Sequence, residues 1–72
     1  MEPKEQLQRN IGIRIRNLRI EKGLTQVDLA SKINRDQQSI QRLEAGRTNP
    51  TYLYLYEVAQ GLEISLSELL DF

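Results

Sequence analysis

The run Asp36-Gln37-Gln38-Ser39-Ile40-Gln41-Arg42-Leu43-Glu44 holds the side chains with the most specific chemistry in the chain. At about 100° per residue, Ile40 and Leu43 fall on one side of a helix, and Gln38, Gln41 and Arg42 fall on the other. Gln37 sits at the border, beside Asp36, whose side-chain oxygen suits an N-cap. Glutamine and arginine can make paired hydrogen bonds with the major-groove edges of adenine and guanine. The same residues also suit an ordinary solvated helix face, so the run alone leaves both readings open. The elements that would position it bear on that choice.

The chain has 72 residues, enough for one small domain spanning 1–72, near the size where a single core is only marginally sufficient. It contains no cysteine and no histidine. Disulfides, thiolate metal sites and the commonest general base are therefore excluded, and no cofactor, metal or enzymatic activity is expected. No apolar run is long enough for a signal peptide or a membrane span. The chain reads as cytoplasmic, with no contact to a membrane. Net charge is zero, yet its distribution is uneven. Residues 1–47 carry all ten Lys and Arg against six acids, giving +4, and residues 48–72 carry Glu57, Glu63, Glu68 and Asp71 with no base, giving −4. One half could face phosphates while the other is kept off them.

Leu7, Ile11, Ile15 and Leu18 repeat at helical spacing, which predicts a first helix from about Glu5 to Lys22, ended by a left-handed Gly23. Thr25 can cap a second, short helix, with Asp28 partly mimicking a capping box and Leu24 stapling onto Leu29. That helix should end near Ile33, with Asn34 in the turn. Asp36 caps the third helix and Gly46 follows it. Thr51 caps a fourth, with an inner stripe of Leu55, Val58, Ala59 and Leu62. Ser65-Leu66-Ser67-Glu68 reads as a capping box opening a fifth helix through Leu69 and Leu70. No segment alternates as a strand would. The expected fold is all-α, a compact five-helix bundle. Its two short helices, over about 25–45, have the spacing of a helix-turn-helix, in which the first crosses the DNA backbone and the second enters the major groove.

Leu24-Thr25-Gln26 through Leu29-Ala30, then Gln37-Gln38-Ser39-Ile40 to Leu43-Glu44-Ala45-Gly46-Arg47, resembles the Cro/phage-repressor (XRE-type) helix-turn-helix family. Asn49-Pro50-Thr51, Leu55, Val58-Ala59, Leu62, Ile64-Ser65-Leu66 and Glu68-Leu69-Leu70 continue the pattern, so the resemblance covers roughly Ile11 to Leu70. It implies a lambda-repressor-like DNA-binding domain of bacterial or phage origin, associated with the nucleoid, and a chain of 72 residues is expected to leave no room for an effector domain. It places Gln37, Gln38 and Gln41 at base-reading positions, with Arg42 able to reach a base or a phosphate. Gln26 would contact a phosphate and brace Gln37. Arg35, Ser39, Arg47, Thr48, Asn49 and Thr51 surround the reading helix as backbone-contact candidates. Arg19 and Glu44 would form a buried ion pair, because a lone carboxylate one turn after Ile40 would be costly on the inner side. Three positions are distinctive against the family pattern. Gly61 stands where alanine or another helix former is usual. Glu63 stands where glycine or asparagine often turns the chain, and Asn34 where glycine is frequent.

Tyr52-Leu53-Tyr54-Leu55-Tyr56 gathers three of the four aromatics. With Leu55 inward, Leu53 and Tyr56 point away from the core, and Leu70 and Phe72 lie on the helix and tail that follow. Exposed aromatics of this kind suit a homodimer interface within 52–72, and two half-sites would multiply the specificity of so short a reader. They equally suit rings that cover the core with their hydroxyls in water. Ile13 and Ile20 lie opposite the core stripe of the first helix with no assigned role. The leading functional expectation is a homodimeric regulator of transcription that reads a (pseudo)palindromic site in double-stranded DNA. Restriction–modification controllers, Cro-like repressors and antitoxins remain open within it. The rival is a protein-interaction module, such as an antitoxin, that binds a partner chain through its C-terminal helices.

Overall fold

The computed structural model describes residues 3–72. Its elements are α1 (Pro3–Glu21), α2 (Gln26–Lys32), α3 (Gln37–Glu44), α4 (Tyr52–Gly61) and α5 (Leu66–Leu69). These are the five expected helices in the expected order. α1 is already helical at Pro3, two residues before the anticipated Glu5, and its fixed φ and missing N–H suit the first turn of a helix. The N-caps of α2 to α5 are side chains already expected for that task. Thr25 and Asp28 exchange both bonds of a full capping box, Thr25 N–H to Oδ2 at 2.9 Å and Asp28 N–H to Oγ1 at 3.0 Å. The Thr25 backbone N–H, and then its hydroxyl, hold the Asp28 carboxyl below its ordinary pKa. Asp36, Thr51 and Ser65 accept from the backbone N–H of Ser39, Tyr54 and Glu68. At Ser65 the expected box is one-sided, since the return bond from Glu68 does not form.

The first four helices end in the same way. A left-handed residue follows the last turn, and two backbone bonds close the end, as in Gly23 N–H to Ile20 O and Leu24 N–H to Arg19 O. The left-handed residues are Gly23 (φ 72°), Asn34 (58°), Gly46 (75°) and Glu63 (60°). Three of these four residues are of types that tolerate that conformation, and Glu63 is not. The fold therefore keeps the corner between α4 and α5 with a strained residue rather than rearranging it.

One core joins Ile11, Ile15 and Leu18 of α1, Leu29 and Ala30 of α2, Ile40 and Leu43 of α3, Tyr54, Val58 and Ala59 of α4, Leu62 at its C-cap, and Leu69 of α5. Leu24, the expected staple, is half-buried against it. Two expectations about the stripes need correction. Leu7 is 67 % exposed. At 1.5 Å per residue α1 is about 28 Å long and α3 only about 12 Å, so the first turns of α1 overhang the short helices. On α4 it is Tyr54 that is buried, while Leu55 is only half-buried. Burial of the tyrosine is possible because its hydroxyl meets Ser39 Oγ at 2.6 Å.

Two glycines allow helices to touch. A methyl group at Gly12 would lie 2.5 Å from the Leu43 carbonyl oxygen and 2.7 Å from that of Glu44, so the backbone of α3 rests directly on α1. At Gly61 it would lie 2.7 Å from Ile33 Cγ2 and 2.9 Å from Leu29 Cδ1, which explains why no alanine stands there. Arg14 closes the other end of the bundle, donating from Nη2 to Glu68 O (2.8 Å) and from Nε to Leu69 O (3.2 Å).

Two thermal-melting comparisons follow from these contacts. Gly12→Ala meets rigid carbonyls and should cost about 2–3 kcal/mol, lowering Tm by roughly 10–20 °C for a domain of this size. Gly23→Ala has open space around it and only the left-handed penalty, so about 1 kcal/mol is expected. Equal losses would mean that Gly12 acts through conformation rather than contact. Glu63→Gly relieves the strained corner and should raise stability by about 0.5–1 kcal/mol after the greater freedom of glycine in the unfolded chain is subtracted. A lower Tm would show that the Glu63 side chain is needed.

Candidate nucleic-acid interface

α3 is an eight-residue helix whose sides differ sharply. Ile40 and Leu43 are fully buried, and Gln38, Gln41 and Arg42 are exposed. Gln37 is half-buried at the N-terminal edge. Gln38, Gln41, Arg42, Ala45 and Arg47 line one shallow depression, so the residue after Gly46 joins the polar side of the helix. Arg47 is held there by its own N–H bonded to Arg42 O at 3.0 Å.

Behind this surface lies the expected ion pair. Arg19 and Glu44 are each 8 % exposed and meet in a two-pronged contact, Nε to Oε2 at 2.6 Å and Nη2 to Oε1 at 2.9 Å. Arg19 Nη1 also donates to Leu24 O at 2.8 Å, which ties in the turn between α1 and α2. Hydrogen bonding to Glu44 raises the Arg19 pKa, outweighing the lowering by burial. The network continues outward. Gln26 Nε2 donates to Glu44 Oε1 at 3.1 Å, and Gln37 Nε2 donates to Gln26 Oε1 at 2.8 Å. No buried side-chain nitrogen or oxygen among the described residues lacks a partner.

The remaining candidates divide. Ser39 is half-buried and bonded to Tyr54. Arg35 lies 3.9 Å over the Tyr54 ring and is paired with Glu57, Nη2 to Oε1 at 2.8 Å. Its guanidinium is thus engaged inside the domain. Thr51 Oγ1 is occupied as the α4 cap. Thr48 is half-buried, and Asn49 lines an apolar groove with Leu7, Ile11, Pro50, Leu55, Leu70 and Phe72, apart from the depression of Gln38 and Arg47. Arg16, not singled out in the sequence, lines a second depression with Gln26, Gln41, Glu44 and Ala45. Its position one turn before Arg19 was the available clue.

Leu53 (61 %), Tyr56 (45 %), Leu70 (46 %) and Phe72 (63 %) are all exposed. Leu7 adds to the apolar surface at Leu70 and Phe72. Ile13 and Ile20 are exposed as well. Among the described residues no helix is long and apolar enough to cross a membrane.

Known proteins share this sequence pattern and fold. A family model described as helix-turn-helix matches residues 15–69. An uncharacterised HTH-type transcriptional regulator of Sinorhizobium fredii is 46 % identical over 59 residues, covering 82 % of this chain and 77 % of that protein. The restriction-modification controller protein C.AhdI from Aeromonas hydrophila superposes with a TM-score of 0.89 at 29 % identity, covering 94 % of this chain and 99 % of that one. The controller protein C.Esp1396I, solved as a tetramer in complex with its natural 35 base-pair operator, superposes at 0.83 with 36 % identity, covering 88 % of this chain and 83 % of that one. The capped pair α2–α3, its ion-pair support and the match across most of the length agree: the chain belongs to the helix-turn-helix family.

Proposed function

We propose that the protein is a sequence-specific, double-stranded DNA-binding regulator of transcription that acts as a homodimer on a (pseudo)palindromic operator. The observation that carries this reading is the exposed Gln38, Gln41 and Arg42 surface on a helix locked from behind by the Arg19–Glu44 network. α3 enters the major groove, where Gln37, Gln38 and Gln41 meet base edges and Arg42 reaches a base or a phosphate. Gln26, Arg16, Arg47, Thr48 and the N-terminus of α4 line up with the phosphates on either side. Arg35, Ser39, Thr51 and Asn49 support this surface more than they touch DNA, because the first three are already bonded within the domain and Asn49 faces the apolar groove. Occupying the operator blocks or recruits polymerase, with no catalytic step.

Within this class, likeness to two restriction-modification controller proteins favours a controller. The 52–72 region, with Leu53, Tyr56, Leu70 and Phe72, supplies the surface for a second copy, and Leu7 extends it. Two copies place their α3 helices in successive major grooves about 34 Å apart, so each half-site needs only a few bases.

Selection of bound duplexes from a random library, followed by affinity measurement across salt, tests the assignment. An enriched palindrome is expected, and weak binding without sequence preference would overturn it. At the selected site Gln38→Ala should lose about 1–3 kcal/mol while non-specific binding barely changes. Uniform loss on every sequence would make Gln38 a backbone contact instead. For the dimer, sedimentation of Leu53→Lys or Tyr56→Lys should show monomers. An unchanged dimer mass would remove that surface from the interface.

A further inference from the structure

Arg14 reaches from α1 to the end of α5. Its Nη2 donates to Glu68 O at 2.8 Å and its Nε to Leu69 O at 3.2 Å. α5 is a single turn of four residues, and the last carbonyls of a helix find no partner within it. A planar guanidinium spans two successive carbonyls, and a cation is favoured at a helix C-terminus.

The residues just beyond those carbonyls belong to the surface assigned above to a second copy. Leu70 and Phe72 are both exposed. Phe72 stands between two depressions, lining one with Leu7 and Leu70 and the other with Ile13 and Arg14. Ile13 is exposed and outside the core, so the apolar surface continues across Phe72 onto α1. Leu69 is fully buried, and its packing docks α5 whatever happens at Arg14. The two residues exposed after it are bonded only locally along the backbone, Leu70 N–H to Leu66 O and Phe72 N–H to Leu70 O, each at 3.1 Å. The Arg14 fork is what ties this stretch to α1 by hydrogen bonds.

We propose that Arg14 is a positioning residue for dimerisation, which fixes the end of α5 so that Leu70 and Phe72 are in place before a second copy arrives. This rests on 52–72 being the dimer surface. Side chains ordered in advance need not be ordered during association, where each one adds to the cost. α1 also holds α3, through Gly12 and Arg19. One helix therefore links the dimer surface to the reader, and Arg14 helps to set the separation of the two α3 helices and the half-site spacing the dimer accepts.

The experiment compares the wild-type chain with Arg14→Met and Arg14→Lys. Methionine keeps part of the aliphatic stem and removes every donor, and lysine keeps the charge without the fork. Sedimentation over a range of concentrations gives the dimer dissociation constant, and thermal melts establish folding. Duplex selection with a randomised gap between half-sites gives the preferred spacing. The dissociation constant should rise on the order of tenfold or more in Arg14→Met and by less in Arg14→Lys. The accepted spacing should broaden, while affinity for a duplex with one half-site stays as it is. A folded Arg14→Met with the wild-type constant and spacing would overturn the proposal. So would an equal loss of single-half-site affinity, because that marks a general loosening of the fold. If Arg14→Met does not melt cooperatively, Arg14→Lys decides, and a wild-type constant there overturns the proposal. If Leu70→Lys and Phe72→Lys both leave the dimer intact, the assignment of the surface fails first and the proposal with it.

Discussion

The Arg19–Glu44 pair is the contact through which α1, α2 and α3 become one body. Two charges removed from water incur several kcal/mol each, and their attraction offsets this only when the geometry is good and the remaining donors and lone pairs are used. Both conditions hold, with a two-pronged contact, a third Arg19 bond to Leu24 O and a further Glu44 bond from Gln26. Removing either partner would strand the other, at about 3–5 kcal/mol, a large share of the stability of any domain this small. Glu44 is also gripped at its backbone, because its carbonyl sits over Gly12, two turns before Arg19 on α1. One residue of α3 is thus held at both its main chain and its side-chain tip.

This matters because α3 could not hold itself. Isolated helices below about 12–15 residues are marginal in water, and α3 has eight. Its shape and aim come from the Asp36 cap, the closed turn at Gly46 and the surfaces of α1 and α2 beneath it. A reading surface must be placed to within about half an ångström. Packing of backbone on backbone, with no flexible side chain between, is the stiffest means available to the fold.

Helix order, the N-caps of α2 to α5 and the turns that end the first three helices were legible in the sequence, since each depends on local chemistry: Thr25, Asp36, Thr51 and Ser65 at the starts, Gly23, Asn34 and Gly46 after the ends. The buried pair was legible through resemblance and the inward placement of Glu44. What escaped was set by distant parts of the chain. Gly12 carries no periodic pattern, and only the approach of α3 gives it meaning. Leu7 obeys the α1 periodicity but lies at the rim of a surface groove with Leu70 and Phe72 rather than in the core. Tyr54 displaces Leu55 from the stripe because Ser39 and Arg35, from other elements, complete its polar tip and ring face. The same partnership takes Arg35 out of the free cations that sequence counting assigned to the nucleic-acid side.

The Arg35–Glu57 bridge also changes how the molecule meets an electric field. It cancels one charge from the basic segment and one from the acidic segment, leaving a chain of zero net charge whose two segments still differ in sign, +4 − 1 = +3 for residues 1–47 and −4 + 1 = −3 for residues 48–72. Such a body feels little net pull towards a polyanion at long range, but within a Debye length it feels a torque. Any preference among approach orientations arises here from the placement of charge rather than from its total.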